Sequence, residues 1–189
     1  MGGGKLAAAL ASTGITPGQV TDIVISHPHG DHVGGLVATD GSAAFPTARM
    51  WFEPAAWQAL KANPGSTPIV AVVQPHLALI APDGAIAPGI RAIPIAGHTP
   101  GHIGVEIVSG AARLFYIGDT LHHYVASIAA PDLDMAYDED GPTAKASRKA
   151  LLARAADQHL RIYAPHFPFP GLGTIRRDGR NYAWVPEAR

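Results

Sequence analysis

The stretch VTDIVISHPHGDHVGGL, residues 20–36, carries the reading of this chain. Val20 to Ser26 is a short, β-branched, apolar run, which predicts a buried strand. It leads directly into His27-Pro28-His29-Gly30-Asp31-His32, where Pro28 and Gly30 predict a loop. Two imidazoles one residue apart on extended backbone point to the same side, because side chains alternate with period two. Gly30 then lets the chain turn before Asp31 and His32. One loop can thereby feed two adjacent metal ions. The competing reading, a polar His-rich loop that picks up metal adventitiously, stays open on these residues alone.

Working outward, three more predicted strands end in a histidine or aspartate. Ile90 to Ile95 runs into Gly97-His98-Thr99-Pro100-Gly101-His102. Gly104 to Val108 and Arg113 to Ile117 form a hairpin around Ser109-Gly110, and its second strand ends at Gly118-Asp119. Arg161 to Ala164 ends at Pro165-His166. Open α/β layers place sites at such strand ends, where loops converge on one edge.

The remaining elements fill in a mixed α/β chain. Gly2 to Gly4 form a flexible lead and Lys5 to Ser12 a helix. Arg49 to Phe52 form a strand, and Pro54 to Ala62 a helix with proline in its first turn. Ile69 to Ile80 is apolar and fits strand or helix, with Pro75 interrupting it. Pro142 to His159 is an Ala-rich helix that turns Leu151, Leu152 and Ala155 toward a core. Tyr182 to Val185 is a last strand after the Asp178-Gly179 turn. With no repeat and no linker, residues 1–189 are expected to form one domain.

Composition narrows the chemistry. Hydrophobic residues are 47% and charged residues 15% of 189, a profile that excludes a disordered chain. A formal net charge of −1 leaves no basic field to hold nucleic acid. No apolar run reaches the length of a membrane span. Leu6 to Ala11 is short for a signal-peptide core and reads as a surface helix, with a signal-like segment as the alternative. The compartment therefore stays open, cytoplasmic for the chain as it stands and with export open to relatives. There is no cysteine, so thiolate nucleophiles, disulfides and thiolate metal ligands are excluded. Any metal must take imidazole and carboxylate, and ten histidines are present to supply the former.

Taken together, HxHxDH at 27–32, GHTPGH at 97–102, GDT at 118–120 and PHF at 165–167 resemble, in type and order, the metallo-β-lactamase superfamily. The resemblance covers nearly the whole chain from about Gly4. Within the superfamily the chain is most similar to the methyl parathion hydrolase-like branch, on ISHPHGDHVGGL at 25–36, GHTPGH at 97–102, IGDTLHH at 117–123, APHFPFPGLG at 164–173 and YAWVP at 182–186. The resemblance implies an α/β (α+β) fold, the αβ/βα sandwich. It implies one metal held by His27, His29 and His98, a second held by Asp31, His32 and His166, and Asp119 bridging the two. The two divalent ions would be zinc, with manganese, cobalt or iron also suited to such ligands. A shared hydroxide would attack a carbonyl carbon or phosphorus, with Asp31 steering it or accepting a proton. The expected activity is hydrolysis of small-molecule ester, lactone or organophosphate substrates. The competing functions are a metal-binding domain without useful catalysis and a β-lactam hydrolase. A single-iron dioxygenase or flavin-linked diiron protein is disfavoured by the full seven-ligand set, and a nuclease by the missing basic field.

Other residues divide by the same resemblance and by their setting. His102 orients the loop or packs behind the ligands. His122, three residues past Asp119, either reaches the substrate cavity as a third catalytic group beside Asp31 and Asp119 or packs behind the site; His123 points away. His76 and His159 are expected at the surface or as caps. Trp51, Phe52 and Trp57 fit an apolar substrate wall or, as the better reading, a core, whereas Phe167 and Phe169, flanking His166, are the better candidates to line a pocket. Asp132, Asp134, Asp138, Glu139 and Asp140 read as a solvated acidic loop. Members of the superfamily carry several strands before HxHxDH; here the motif starts at residue 27, so part of the N-terminal half-layer is expected to be missing. An uncovered sheet edge would then favour a homodimer.

Overall fold

The computed structural model describes residues 5–188, so the predicted Gly2–Gly4 lead lies outside the described residues. The chain divides into two compact units, residues 1–81 and 82–189.

The first unit is built on a parallel three-stranded sheet. Helix α1 (Leu6–Ser12) precedes strand β1 (Asp22–Val24), the helical turn α2 (Gly30–Val33), strand β2 (Arg49–Phe52), helices α3 (Pro54–Ala62) and α4 (Thr67–Val73), and strand β3 (Leu77–Leu79). The strands lie in the order β1-β2-β3, with Val24 opposite Trp51 and Phe52 opposite Leu79. Helix α3 starts where it does because Pro54 lacks the N–H a helix cannot use there, and the Glu53 carboxylate accepts from the N–H groups of Ala55 and Ala56 at 2.5 and 3.2 Å. Its apolar face carries Trp57 and Leu60 into a core with Met50, Phe52, Val33 and Val73. Phe52 and Trp57 meet edge to face, centroids 5.6 Å apart. Trp51 departs from its expected core role. It is half-buried, and its indole N–H donates to Asp22 across the β1–β2 pair at 2.8 Å.

Two ambiguous stretches resolve by local chemistry. Residues 69–80 are both helix and strand: α4 ends at Val73, a 3-10 turn at Gln74–His76 contains Pro75, and β3 follows. The predicted loop over 27–32 is a loop only as far as His29. Gly30 opens a helical turn, in which the N–H of Val33 donates to the carbonyl of His29 at 3.1 Å.

The second unit is a seven-stranded sheet in the order β10-β9-β8-β7-β6-β5-β4. In chain order these are β4 (Ala85–Ala87), β5 (Ile90–Pro94), β6 (Ile103–Ser109), β7 (Ala112–Tyr116), the short helix α5 (Ala126–Ala129), the long helix α6 (Gly141–Asp157), β8 (Arg161–Tyr163), β9 (Leu172–Asp178) and β10 (Asn181–Pro186). All pairings are antiparallel except β7 with β8, whose parallel alignment requires the crossover that α6 supplies. Asp140 caps α6 by accepting from the N–H of Thr143 at 3.1 Å. The helix buries Leu151, Leu152, Ala155 and Ala156 with Phe115, Ile117, Ile162 and Ile175 of the sheet. It ends at exposed His159, whose φ of 49° forms the left-handed cap while the N–H of Leu160 returns to the carbonyl of Ala155. Strands β4 and β9 were not predicted. Ala85–Ala87 is too short and Ala-rich to signal a strand, and in β9 Gly173 interrupts the β-formers because the backbone of β10 and the Trp184 ring leave no room for a side chain. No helix among the described residues is long and apolar enough to cross a membrane.

Candidate metal centre

In the first unit, the N–H of Ile25 donates to the carbonyl of Trp51 at 3.0 Å and prolongs the β1–β2 pairing to the edge of the histidine loop. His27 therefore leaves the sheet in extended backbone and is fully buried. Its Nε2 lies 3.1 Å from Nδ1 of His29, as expected for alternate residues on one side of an extended segment. The helical turn brings His32 back, its ring 4.1 Å from that of His27. Asp31 is exposed, with Oδ2 3.6 Å from Nε2 of His32. The hydroxyl of buried Ser26 lies 3.1 Å from Nδ1 of His27 and 3.5 Å from Nδ1 of His32. One serine oxygen thus holds the far side of two rings, a role that a lone Ser before the motif gave no signal for.

The second unit brings together Asp119, His98, His122 and His166. Asp119 follows β7, and its Oδ2 lies 2.9 Å from Nε2 of His166, 3.7 Å from Nε2 of His98 and 3.7 Å from Nε2 of His122. Two glycines make this possible. Gly118 has φ of 50°, and a side chain there would strike the His102 ring. Gly97 has φ of 116°, and a side chain there would strike the backbone of Ala144 at the start of α6. His102 packs against His98, ring centroids 5.3 Å apart, and against the backbone of Asp119. Its Nε2 accepts from the backbone N–H of Asp119 at 3.0 Å, and its Nδ1–H donates to the carbonyl of Ile95 at 2.8 Å.

His122 lies among these groups rather than away from them, stacked on His166 with centroids 5.7 Å apart. Burial pushes its imidazole down to about 4, against the pull of the Asp119 carboxylate and helped by the neighbouring His98 and His166 rings. Its ring is therefore neutral at pH 7, and neither nitrogen makes a hydrogen bond among the described residues. His123 points away, and its Nδ1 accepts from the N–H groups of Val125 and Ala126 at the start of α5.

Two expectations need correction. Phe167 is packed in the sheet–helix core, edge to face with Trp184, and Phe169 is 80% exposed, so neither lines a pocket within this unit. The acidic stretch is solvated at Asp132 and Asp134, which pair with Lys149 and Lys145 at the surface, but not at Asp138. The Asp138 side chain is 2% exposed and binds His98 Nδ1 at 2.9 Å and Arg148 at 2.8 Å. The signal was present in α6: Arg148 stands at helical spacing from Ala144, Leu151, Leu152 and Ala155, on the core-facing side, where a charge demands a buried partner.

Imidazole nitrogens and carboxylate oxygens without thiolate suit a divalent metal. Within the second unit, His98, His122 and Asp138 each bring a ligand atom within 4.8 Å of one another.

The comparisons agree with this donor chemistry. A family model, the metallo-beta-lactamase superfamily, matches residues 2–166. Among solved structures, AidC, a dizinc quorum-quenching lactonase, is 30% identical with a TM-score of 0.90, over 98% of this chain and 70% of that one. AbOPH, a hydrolase in the beta lactamase superfamily, is 29% identical with a TM-score of 0.85, over 98% and 70%. A probable metal-dependent hydrolase from Staphylococcus aureus shares the fold at 22% identity and a TM-score of 0.83, over 97% and 68%. No curated protein matches significantly in sequence. The matched family model runs from before the first histidine to His166, and the mixed α/β fold is that of the similar structures, so the chain belongs to the metallo-beta-lactamase superfamily.

Proposed function

We propose that the chain is a dinuclear metal-dependent hydrolase of esters, lactones or phosphotriesters, with both units acting as one domain around one site. His27, His29 and His98 would hold one ion, and Asp31, His32 and His166 the other, with Asp119 between them. The observation that carries this reading is the position of Asp119. One buried carboxylate oxygen lies 2.9 Å from Nε2 of His166 and 3.7 Å from Nε2 of His98, one imidazole from each proposed ligand group, which supports a bridging role. The family match spans all seven residues of the set.

Two divalent ions, zinc best suited to these ligands, would acidify a shared water and polarise the oxygen of the scissile bond. The protein's own groups do the rest. Asp119 is held in place through its backbone by His102. Asp31, exposed at the turn, can take up the proton released on attack. His122, neutral and stacked beside His166, would turn an imidazole nitrogen to the substrate. Exposed Tyr137, its ring 6.1 Å from that of His122, offers an apolar surface for the substrate's non-reacting part. Lactones are the first class to test, because AidC, 30% identical, is a lactonase.

The test combines metal analysis with rates on an N-acyl lactone, p-nitrophenyl acetate, paraoxon-methyl and nitrocefin. About two metals per chain and chelator-sensitive turnover of a lactone, ester or phosphotriester, reduced at least about ten-fold in Asp119→Ala, are expected. Metal binding without turnover above free metal ion would leave a binding domain, and turnover of nitrocefin alone a β-lactam hydrolase; either overturns the proposal.

A further inference from the structure

Helix α6 carries one charged side chain into its packed face. Arg148 is 1% exposed, and its partners all belong to the segment that links Asp119 to the helix. Nε donates to the carbonyl of Thr120 at 3.3 Å, and Nη1 to the carbonyls of Pro131 and Leu133 at 2.8 and 3.0 Å. Nη2 donates to Oδ2 of Asp138 at 2.8 Å. The other oxygen of Asp138, Oδ1, lies 2.9 Å from Nδ1 of His98. The same stretch is tied to the histidine turn through its backbone: the N–H of Glu139 donates to the carbonyl of His98 at 3.0 Å, and that of Asp140 to the carbonyl of Gly97 at 2.9 Å.

We propose that Asp138 and Arg148 form a positioning relay that sets the tautomer and the ring plane of His98. The reasoning is chemical. A carboxylate only accepts, so His98 must donate from Nδ1, and its Nε2 lone pair is left to face Asp119. Arg148 divides the work of the carboxylate: with Oδ2 engaged by the guanidinium, the group cannot rotate away, and Oδ1 stays on the imidazole. A buried ion pair is a poor stabilising device, since apolar side chains of similar volume do as well or better. What an apolar replacement could not do is fix a proton on one nitrogen of a neighbouring ring. Because Arg148 also holds the carbonyl of Thr120, next to Asp119, one guanidinium sets the bearing of two groups of the site. Partners of this kind typically tune metal affinity by about 10–100-fold. The inference deepens the proposed function and rests on its assignment of His98 as a ligand.

The experiment compares wild type with Asp138→Asn, Arg148→Lys and Arg148→Met. The first readout uses metal-free protein. Imidazole 15N spectra are expected to show His98 protonated at Nδ1 in wild type, and a mixture of tautomers in Asp138→Asn and Arg148→Met. The second is zinc affinity by chelator competition, with the absorption spectrum of the cobalt-loaded protein. A loss of about 10–100-fold and an altered cobalt spectrum are expected, with Arg148→Lys retaining more affinity than Arg148→Met. Circular dichroism of each variant separates this from unfolding; if Arg148→Met does not fold, Asp138→Asn and Arg148→Lys carry the comparison. A wild-type His98 protonated at Nε2, or an Asp138→Asn variant with unchanged tautomer and zinc affinity, overturns the relay. The spectra need no metal, so a failure of the hydrolase reading registers separately, as wild type that binds no metal.

Discussion

The imidazole of His102 accepts the backbone N–H of Asp119 at 3.0 Å while donating its other N–H to the carbonyl of Ile95 at 2.8 Å. The ring is 2% exposed, so both backbone groups depend on it rather than on water. It joins the residue after β5 to the turn that follows β7, through a side chain and not through the sheet ladder.

His102→Ala is therefore expected to lower stability by about 1–3 kcal/mol, the cost of leaving a buried backbone donor unsatisfied. Denaturant unfolding of wild type and variant measures it. An unchanged midpoint would show that the Asp119 N–H finds another partner.

Gly97→Ala is expected to be costly for a different reason. The residue has φ of 116°, and the added methyl meets the backbone of Ala144, which cannot swing aside as a side chain could. A strained backbone position costs about 1–3 kcal/mol, with the collision in addition. Gly110→Ala is the control: its φ is 57°, but open space surrounds it, so only the conformational cost remains. Thermal melts should rank Gly97→Ala well below Gly110→Ala.

Asp22 provides a pH test on a carboxyl whose partners are Trp51, Thr21 and Arg49 rather than histidines. The Trp51 indole N–H holds its carboxyl below the ordinary 3.8, opposed by partial burial and aided by Thr21 and Arg49. A lowered folded-state pKa contributes stability that is present above the unfolded value near 3.8 and fades as pH falls through the folded value. Asp22→Asn should thus be less stable than wild type at pH 7, and the gap should close below about pH 4. Denaturant midpoints at pH 7, 5 and 3 give the comparison; a gap that widens toward acid would contradict the sign.

Metal removal tests the proposed site without assaying turnover. A ligand that binds only the folded state stabilises it by about 2.7 kcal/mol at one hundred times its Kd. Zinc added to chelator-treated protein should raise the melting temperature, and Asp119→Ala should blunt the rise. Equal rises in both would mean that the metal sits elsewhere.

Much of this protein was written in local sequence. The run from Val20 into His27 signalled a strand feeding a histidine-rich loop, and Arg49–Phe52 and Pro54–Ala62 emerge with the expected bounds, because β-branched runs, an N-terminal proline and a capping glutamate act over a few residues. The motif order also marked the family, since the chemistry of a His/Asp centre needs those residue types at strand ends. Tertiary structure alone decided what stands behind them. Asp138 lies 40 positions from His98 in sequence, yet the two are hydrogen-bonded, and Arg148 gathers carbonyls from Thr120 to Leu133. Such contacts depend on how α6 packs on its sheet. An aspartate in an acidic stretch looks the same in sequence whether water or a buried guanidinium receives it, and only packing removes the water.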